Sequence, residues 1–113
     1  MRRGEVWWAD LGEPQGSAPG YRRPVVIVSA NRLNETSIGT VIVAVVSSNL
    51  KLESALGNFR IPARAAGLGK PSVAVVSALA TVDRENMLAH VGRLPDNLIS
   101  RMNEGLRLAL GIG

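Results

Sequence analysis

Apolar residues in this chain gather into short runs broken by glycine, proline and small polar residues, a pattern of strands joined by turns. Thr40–Ser48 (TVIVAVVSS) is the strongest strand signal. Pro24–Ala30 (PVVIVSA) reads as a second buried strand, with the proline at its first position, where no ladder bond is lost. Gly4–Asp10 (GEVWWAD) is a first strand with aromatic residues on both faces. Asn58–Pro62, Ser72–Val82 and His90–Leu94 complete the set. Leu11–Gly20 is dense in glycine, proline and serine and forms a loop, and Asn31–Gly39 forms a second loop with one helical turn. Gly67–Pro71 is a turn, and Asp83 is placed to cap a short turn after the long strand.

The period changes near the end. From Pro95 the apolar residues Leu98, Ile99, Met102, Leu106, Ala109 and Leu110 fall on one side of a helix. Pro95 and Asp96 suit its start and Gly111 its stop. Short strands followed by one terminal helix predict a mainly β fold, a small antiparallel barrel with the helix packed on it; a Greek-key sandwich is the competing architecture. The 113 residues suit a single domain, 1–113.

Composition narrows the chemistry. With no cysteine and one histidine, disulfides, thiolate zinc sites, a cysteine nucleophile and a histidine pair are excluded. The longest apolar run, Val41–Val46, is too short to span a bilayer, and no apolar stretch follows Met1-Arg2-Arg3 as it would in a signal peptide. A cytoplasmic location is expected. The net charge is +4, carried by eleven arginines and two lysines, and arginine suits bidentate contact with phosphate. Residues 51–70 hold net +3 and residues 1–23 net +1, whereas 83–113 is balanced. That distribution fits anion binding and a merely solubilising surface equally well.

Several motifs fail. Gly67–Ser72 (GLGKPS) lacks the first glycine of a phosphate-binding loop, where Arg64 stands, and Pro71 replaces the hydroxyl residue after Lys70. Ser48-Asn49-Leu50-Lys51 matches a serine–lysine nucleophile motif without its companions. The three aspartates, Asp10, Asp83 and Asp96, are too dispersed for a carboxylate metal cluster. His90, in an apolar stretch, reads as a packing residue.

Three segments in order resemble the MazF/PemK family of toxin endoribonucleases. They are Arg3-Gly4-Glu5-Val6-Trp7-Trp8-Ala9-Asp10-Leu11, then Gly16–Ser29 with Arg22-Arg23-Pro24 before a buried strand, then Val41–Asn49. Ser72–Val76 and the terminal helix keep the same register, so the resemblance covers essentially the whole chain. It implies an SH3-like barrel, a homodimer, and metal-independent cleavage of single-stranded RNA. It further implies silencing by a cognate antitoxin, whose acidic segment a basic groove would accept. No cofactor and no metal ligand are implied.

Carried over position by position, Arg23 matches the family's catalytic arginine and Ser47 its catalytic threonine. RNA contacts are assigned to Ser17, Tyr21, Arg22, Ser48, Asn49, Lys51 and Lys70. The chemistry suits these residues. RNA's own 2′-hydroxyl is the nucleophile, leaving a 2′,3′-cyclic phosphate and a 5′-hydroxyl, while a guanidinium and a hydroxyl stabilise the charge on phosphorus. Of Trp7 and Trp8, which alternate, one belongs to the core and the other can stack on a base; Tyr21 is the best exposed aromatic candidate. Where many relatives carry an acidic or amide pair this chain has Ala18-Pro19, and where many carry Gln–hydrophobic–Arg it has Ala78-Leu79-Ala80. The general base is therefore unassigned, and specificity falls to Asn49, Lys51 and the loops at 11–22 and 51–70. The alternatives are a toxin of this fold that contacts DNA gyrase without catalysis, and a binding-only descendant. The first is disfavoured by Leu110-Gly111-Ile112-Gly113, which lacks the aromatic those relatives use.

Overall fold

The apolar runs around Val25–Ile27 and Val41–Val46 lack alternation because the sheet they form is covered on both faces. The structure, a computed structural model, describes residues 1–113. Its strands are β1 (Glu5–Asp10), β2 (Arg22–Ile27), β3 (Thr40–Ser47), β4 (Phe59–Ile61), β5 (Ser72–Asp83) and β6 (Met87–Arg93). A one-turn helix α1 (Asn31–Asn34) precedes β3, and α2 (Asp96–Leu110) ends the fold. All six strands form one antiparallel sheet in the order β4-β5-β3-β2-β1-β6, so the two-sheet sandwich does not occur. The sheet curls into a half-barrel whose end strands do not pair. The turn after β4 closes that seam against β6: a Cβ added to Gly92 would lie 2.5 Å from the Ala66 carbonyl oxygen. No helix is long and apolar enough to cross a membrane.

One face of the sheet presents Val6, Val26, Ala44, Val46, Ala74 and Val76 to β4 and to Leu98 and Met102 of α2. The other presents Ala9, Val25, Ile27, Val41, Val43, Val82 and Met87 as a second core. Helix α2 follows its predicted stripe, with Ile99, Leu106 and Ala109 also against the first core, but Leu110 is exposed. Gly105, buried mid-helix, is required by a close approach, since a Cβ there would collide with the Gly57 carbonyl oxygen. Gly111 terminates the helix in the left-handed conformation at φ 69°.

Several details differ from the sequence reading. β2 begins at Arg22, so Pro24 is inside the strand. It pairs with Trp8 on β1, whereas the ladder to β3 starts only at Val25, one residue after the proline that lacks an N–H. β3 ends at Ser47, because Ser48 turns into a 3₁₀ segment, Leu50–Ser54, capped by Asn49. β6 starts at Met87, three residues earlier than expected, and Asp83 precedes a short 3₁₀ turn without a side-chain cap bond. β5 is a long strand with an irregularity: Ala44 faces Leu79 but Val45 faces Val75, so Val76, Ser77 and Ala78 bulge out of the ladder.

Candidate active site

The site lies at the end of the sheet where β2 and β3 part. Extending the register that sets Val25 opposite Val45 by two residues puts Arg23 opposite Ser47, on the face that carries Val25 and Val45. Pro24 ends the ladder at this point. The two side chains therefore border open space.

The loop between β1 and β2 fixes how Arg23 enters. Asp10 Oδ1 accepts the Gly12 N–H at 2.8 Å, Leu11 N–H donates to the Tyr21 carbonyl at 2.9 Å, and Tyr21 N–H donates to the Gly12 carbonyl at 2.6 Å. These bonds hold Tyr21 at φ 59°, the one non-glycine residue in the left-handed region. The loop then folds onto itself so closely that a Cβ on Gly20 would lie 2.5 Å from the Pro14 nitrogen. Arg23 Nε donates to the Gly20 carbonyl at 3.1 Å, and its terminal nitrogens have no partner. The guanidinium is thus held by one edge and free on the other.

Ser47 is fixed from the opposite side. Its Oγ accepts the Asn49 N–H at 3.1 Å, and Asn49 Oδ1 accepts the Lys51 N–H at 3.2 Å. A hydroxyl that accepts from the backbone keeps its own hydrogen available to donate.

Arg23 and Ser47 line two hollows at once. The first, about 320 Å³, is walled by Ser17, Ala18, Pro19, Gly20, Leu52 and Ala78; no carboxylate or imidazole lines it. The second, about 210 Å³, is walled by Trp8, Arg22, Ser48, Lys70 and Ser72. A larger hollow of about 560 Å³ adjoins the first through Ser17, Ala18, Pro19, Val45 and Ala78. Its charged residues are Asp10 and Asp83, with no cation, so a phosphate is repelled from it despite its size. No cluster of three His, Cys, Asp or Glu side chains is placed to hold a metal ion.

The structure thus brings together Ser17, Arg22, Arg23, Ser47, Ser48 and Lys70. Tyr21, Asn49 and Lys51 line none of the three hollows. Tyr21 is 64% exposed, and the Asn49 side-chain oxygen Oδ1 is committed to its cap. Leu52 and Ser72 join the walls without any signal in the sequence, since only the fold brings the capped turn and the start of β5 to this place.

Other arginines have structural duties. Arg3 donates to the Val28 carbonyl at 2.9 Å, and burial lowers its pKa. Arg84 donates to the Ile38 and Asn34 carbonyls, and Arg60 pairs with Glu53 at 2.9 Å. Arg22, Arg23 and Lys70 meet no carboxylate. His90 lies away from the hollows, half exposed, its Nε2 3.8 Å from Glu5. Burial works to raise the Glu5 pKa, but the Arg2 N–H, the Trp7 indole and the charges of His90 and the N-terminus together hold it below its ordinary value.

Along its whole length the chain is similar to known proteins. Residues 2–110 match the family described as PemK-like, MazF-like toxin of type II toxin-antitoxin system. The chain is 38% identical over 112 residues to endoribonuclease MazF6 of Mycobacterium tuberculosis, covering 99% of this chain and 98% of that protein. The crystal structure of MazF from Deinococcus radiodurans superposes with a TM-score of 0.82 at 21% identity, covering 99% of this chain and 97% of that one. An endoribonuclease in complex with its cognate antitoxin from Mycobacterial species superposes with a TM-score of 0.79 at 18% identity, covering 100% and 97%. With the family's full-length match and the shared half-barrel in view, the chain belongs to the PemK-like, MazF-like toxins of type II toxin–antitoxin systems.

Proposed function

We propose that this chain is a metal-independent endoribonuclease toxin that cleaves single-stranded RNA at the hollow shared by Arg23 and Ser47. The observation that carries this reading is the pair itself. A guanidinium anchored through Nε and a hydroxyl anchored as an acceptor face each other across an unladdered gap, each with free donors. Those donors suit a phosphate gaining negative charge.

In this reading the 2′-oxygen attacks the adjacent phosphorus while the bond to the 5′-oxygen breaks. The products are a 2′,3′-cyclic phosphate and a 5′-hydroxyl. Arg23 stabilises the equatorial oxygens, and Ser47 donates to the same centre. The 2′-hydroxyl proton leaves to water and the departing 5′-oxygen takes one from water, since the walls offer no carboxylate or imidazole. Requiring the 2′-hydroxyl selects RNA over DNA. Arg22, Lys70, Ser17 and Ser48 hold the strand on either side.

Residues 1–113 act as one domain, as a homodimer, in the cytoplasm. A cognate antitoxin silences the toxin by laying an acidic segment along the cationic hollow, consistent with the family and with the antitoxin complex of the mycobacterial structure. The test is cleavage of single-stranded RNA in excess chelator by the intact chain, beside Arg23→Ala and Ser47→Ala. Cleavage that survives the chelator and falls about 100-fold or more in Arg23→Ala supports the reading. Loss of cleavage on chelation, or full activity in Arg23→Ala, overturns it.

A further inference from the structure

The adjacent tryptophans of β1 have different fates. The Trp7 indole N–H donates to Glu5 Oε1 at 3.0 Å, and its ring leans on His90 with centroids 5.3 Å apart. Trp7 also packs against the second core. Trp8 has neither a hydrogen bond nor an aromatic partner and is 38% exposed. Its cross-strand neighbours are Pro24 on β2 and Ala89 on β6, both too short to cover an indole.

A half-exposed tryptophan alone means little. Its setting is what matters. Trp8 walls the hollow of about 210 Å³ together with Arg22 and Lys70, neither of which meets a carboxylate, and that hollow opens onto Arg23 and Ser47. A bare aromatic face beside two free cations and the hydroxyls of Ser48 and Ser72 matches a planar base bearing a phosphate. We propose that Trp8, Arg22 and Lys70 form a nucleotide subsite beside the reaction centre, in which the base flanking the scissile phosphate stacks on Trp8 and its phosphate rests between the two cations. This rests on the RNA-cleaving reading. Stacking accepts every base, so the subsite grips the strand without reading its sequence.

The test uses the full chain carrying Trp7→Phe, in which Trp8 is the only tryptophan. It is titrated with single-stranded oligodeoxynucleotides of dT, dA or dC, which lack the attacking hydroxyl and are not cleaved. Trp8 emission is quenched on saturation by all three. Trp8→Ala in the natural sequence weakens binding roughly 5- to 150-fold without changing the salt dependence, and Trp8→Phe recovers much of that loss. Lys70→Ala lowers the slope of log affinity against log salt by about 0.7. Emission that ignores all three oligonucleotides, responds only to an acidic peptide, or binding equal to the natural chain in Trp8→Ala overturns the proposal. Should Trp8→Ala fail to fold, the emission change and Trp8→Phe still decide it. Cleavage of RNA without a Trp8 response sinks the subsite alone, whereas quenching without RNA cleavage sinks the nuclease reading alone.

Discussion

Replacing Arg23 by lysine separates geometry from charge at the proposed centre. Lysine keeps the positive charge but removes the planar fork and the Nε–H that donates to the Gly20 carbonyl at 3.1 Å. Two consequences follow with different sizes. The lost anchor is one partly buried hydrogen bond, worth about 0.5–1.5 kcal/mol, which lowers the melting temperature by several degrees. The lost fork removes donors aimed at the transition state, and deleting one such donor costs about 100- to 1,000-fold in kcat, or about 2.7–4 kcal/mol. Strand affinity is governed by the number of phosphates neutralised, which the substitution conserves, so KM and the salt dependence of binding change little. The assay is steady-state cleavage of a single-stranded RNA across a range of salt, with a thermal melt on the same preparation. A kcat within about threefold of the natural chain would refute the argument that the guanidinium's directed donors do the work. A large rise in KM at unchanged kcat would place Arg23 in strand binding alone.

Four further outcomes are expected. Ser47→Ala lowers kcat about 10- to 100-fold, the scale of a hydrogen bond to a charged group, and Ser47→Thr restores or exceeds the original rate because the added methyl restricts the rotamer. His90→Asn leaves the pH–rate profile unchanged, since His90 lines none of the hollows; a shift between about pH 5 and 8 would contradict the assignment of proton transfer to water. Glu5→Gln reduces stability at neutral pH and flattens the acid limb of the melting curve. The Glu5 carboxyl lies below its ordinary value of 4.5 in the folded chain, so its contribution is complete above that pH and is lost as the pH falls through the folded value. Gly105→Ala drives a methyl into the Gly57 carbonyl, and an overpacking cost of about 1–3 kcal/mol exceeds the helix-propensity gain of about 1 kcal/mol, so the melting temperature falls.

The chain's apolar periodicity carried the architecture a long way. β2 and β3 were legible as buried strands because both faces are covered and no polar residue interrupts them, and α2 was legible because only one of its faces packs. The positions of Pro24, the bulge at Val76–Ala78 and the 3₁₀ segment at Leu50–Ser54 were not legible. The first two depend on where a neighbouring strand stops pairing, a property of the partner, whereas the 3₁₀ segment rests on the local Asn49 cap, which ends β3 inside an otherwise strand-like run. The site divides similarly. Arg23 and Ser47 came from resemblance to a family, and only the sheet register shows why they face each other. Alternation placed Trp7 and Trp8 on opposite faces, but which indole is engaged was decided by Glu5, His90 and the small neighbours Pro24 and Ala89. Tyr21 is exposed, as its place in a polar loop implies, but its side chain lines none of the hollows.

If the cationic hollow, which lacks carboxylate and imidazole, cleaves RNA through the strand's own 2′-hydroxyl, the product ends record it. End-group mass spectrometry of the products formed in excess chelator tests it most directly, with the all-deoxy version of the same strand as control. RNA yields 2′,3′-cyclic phosphate and 5′-hydroxyl ends, and the deoxy strand is not cleaved. Products bearing 3′-hydroxyl and 5′-phosphate ends, or cleavage of the deoxy strand, would contradict it.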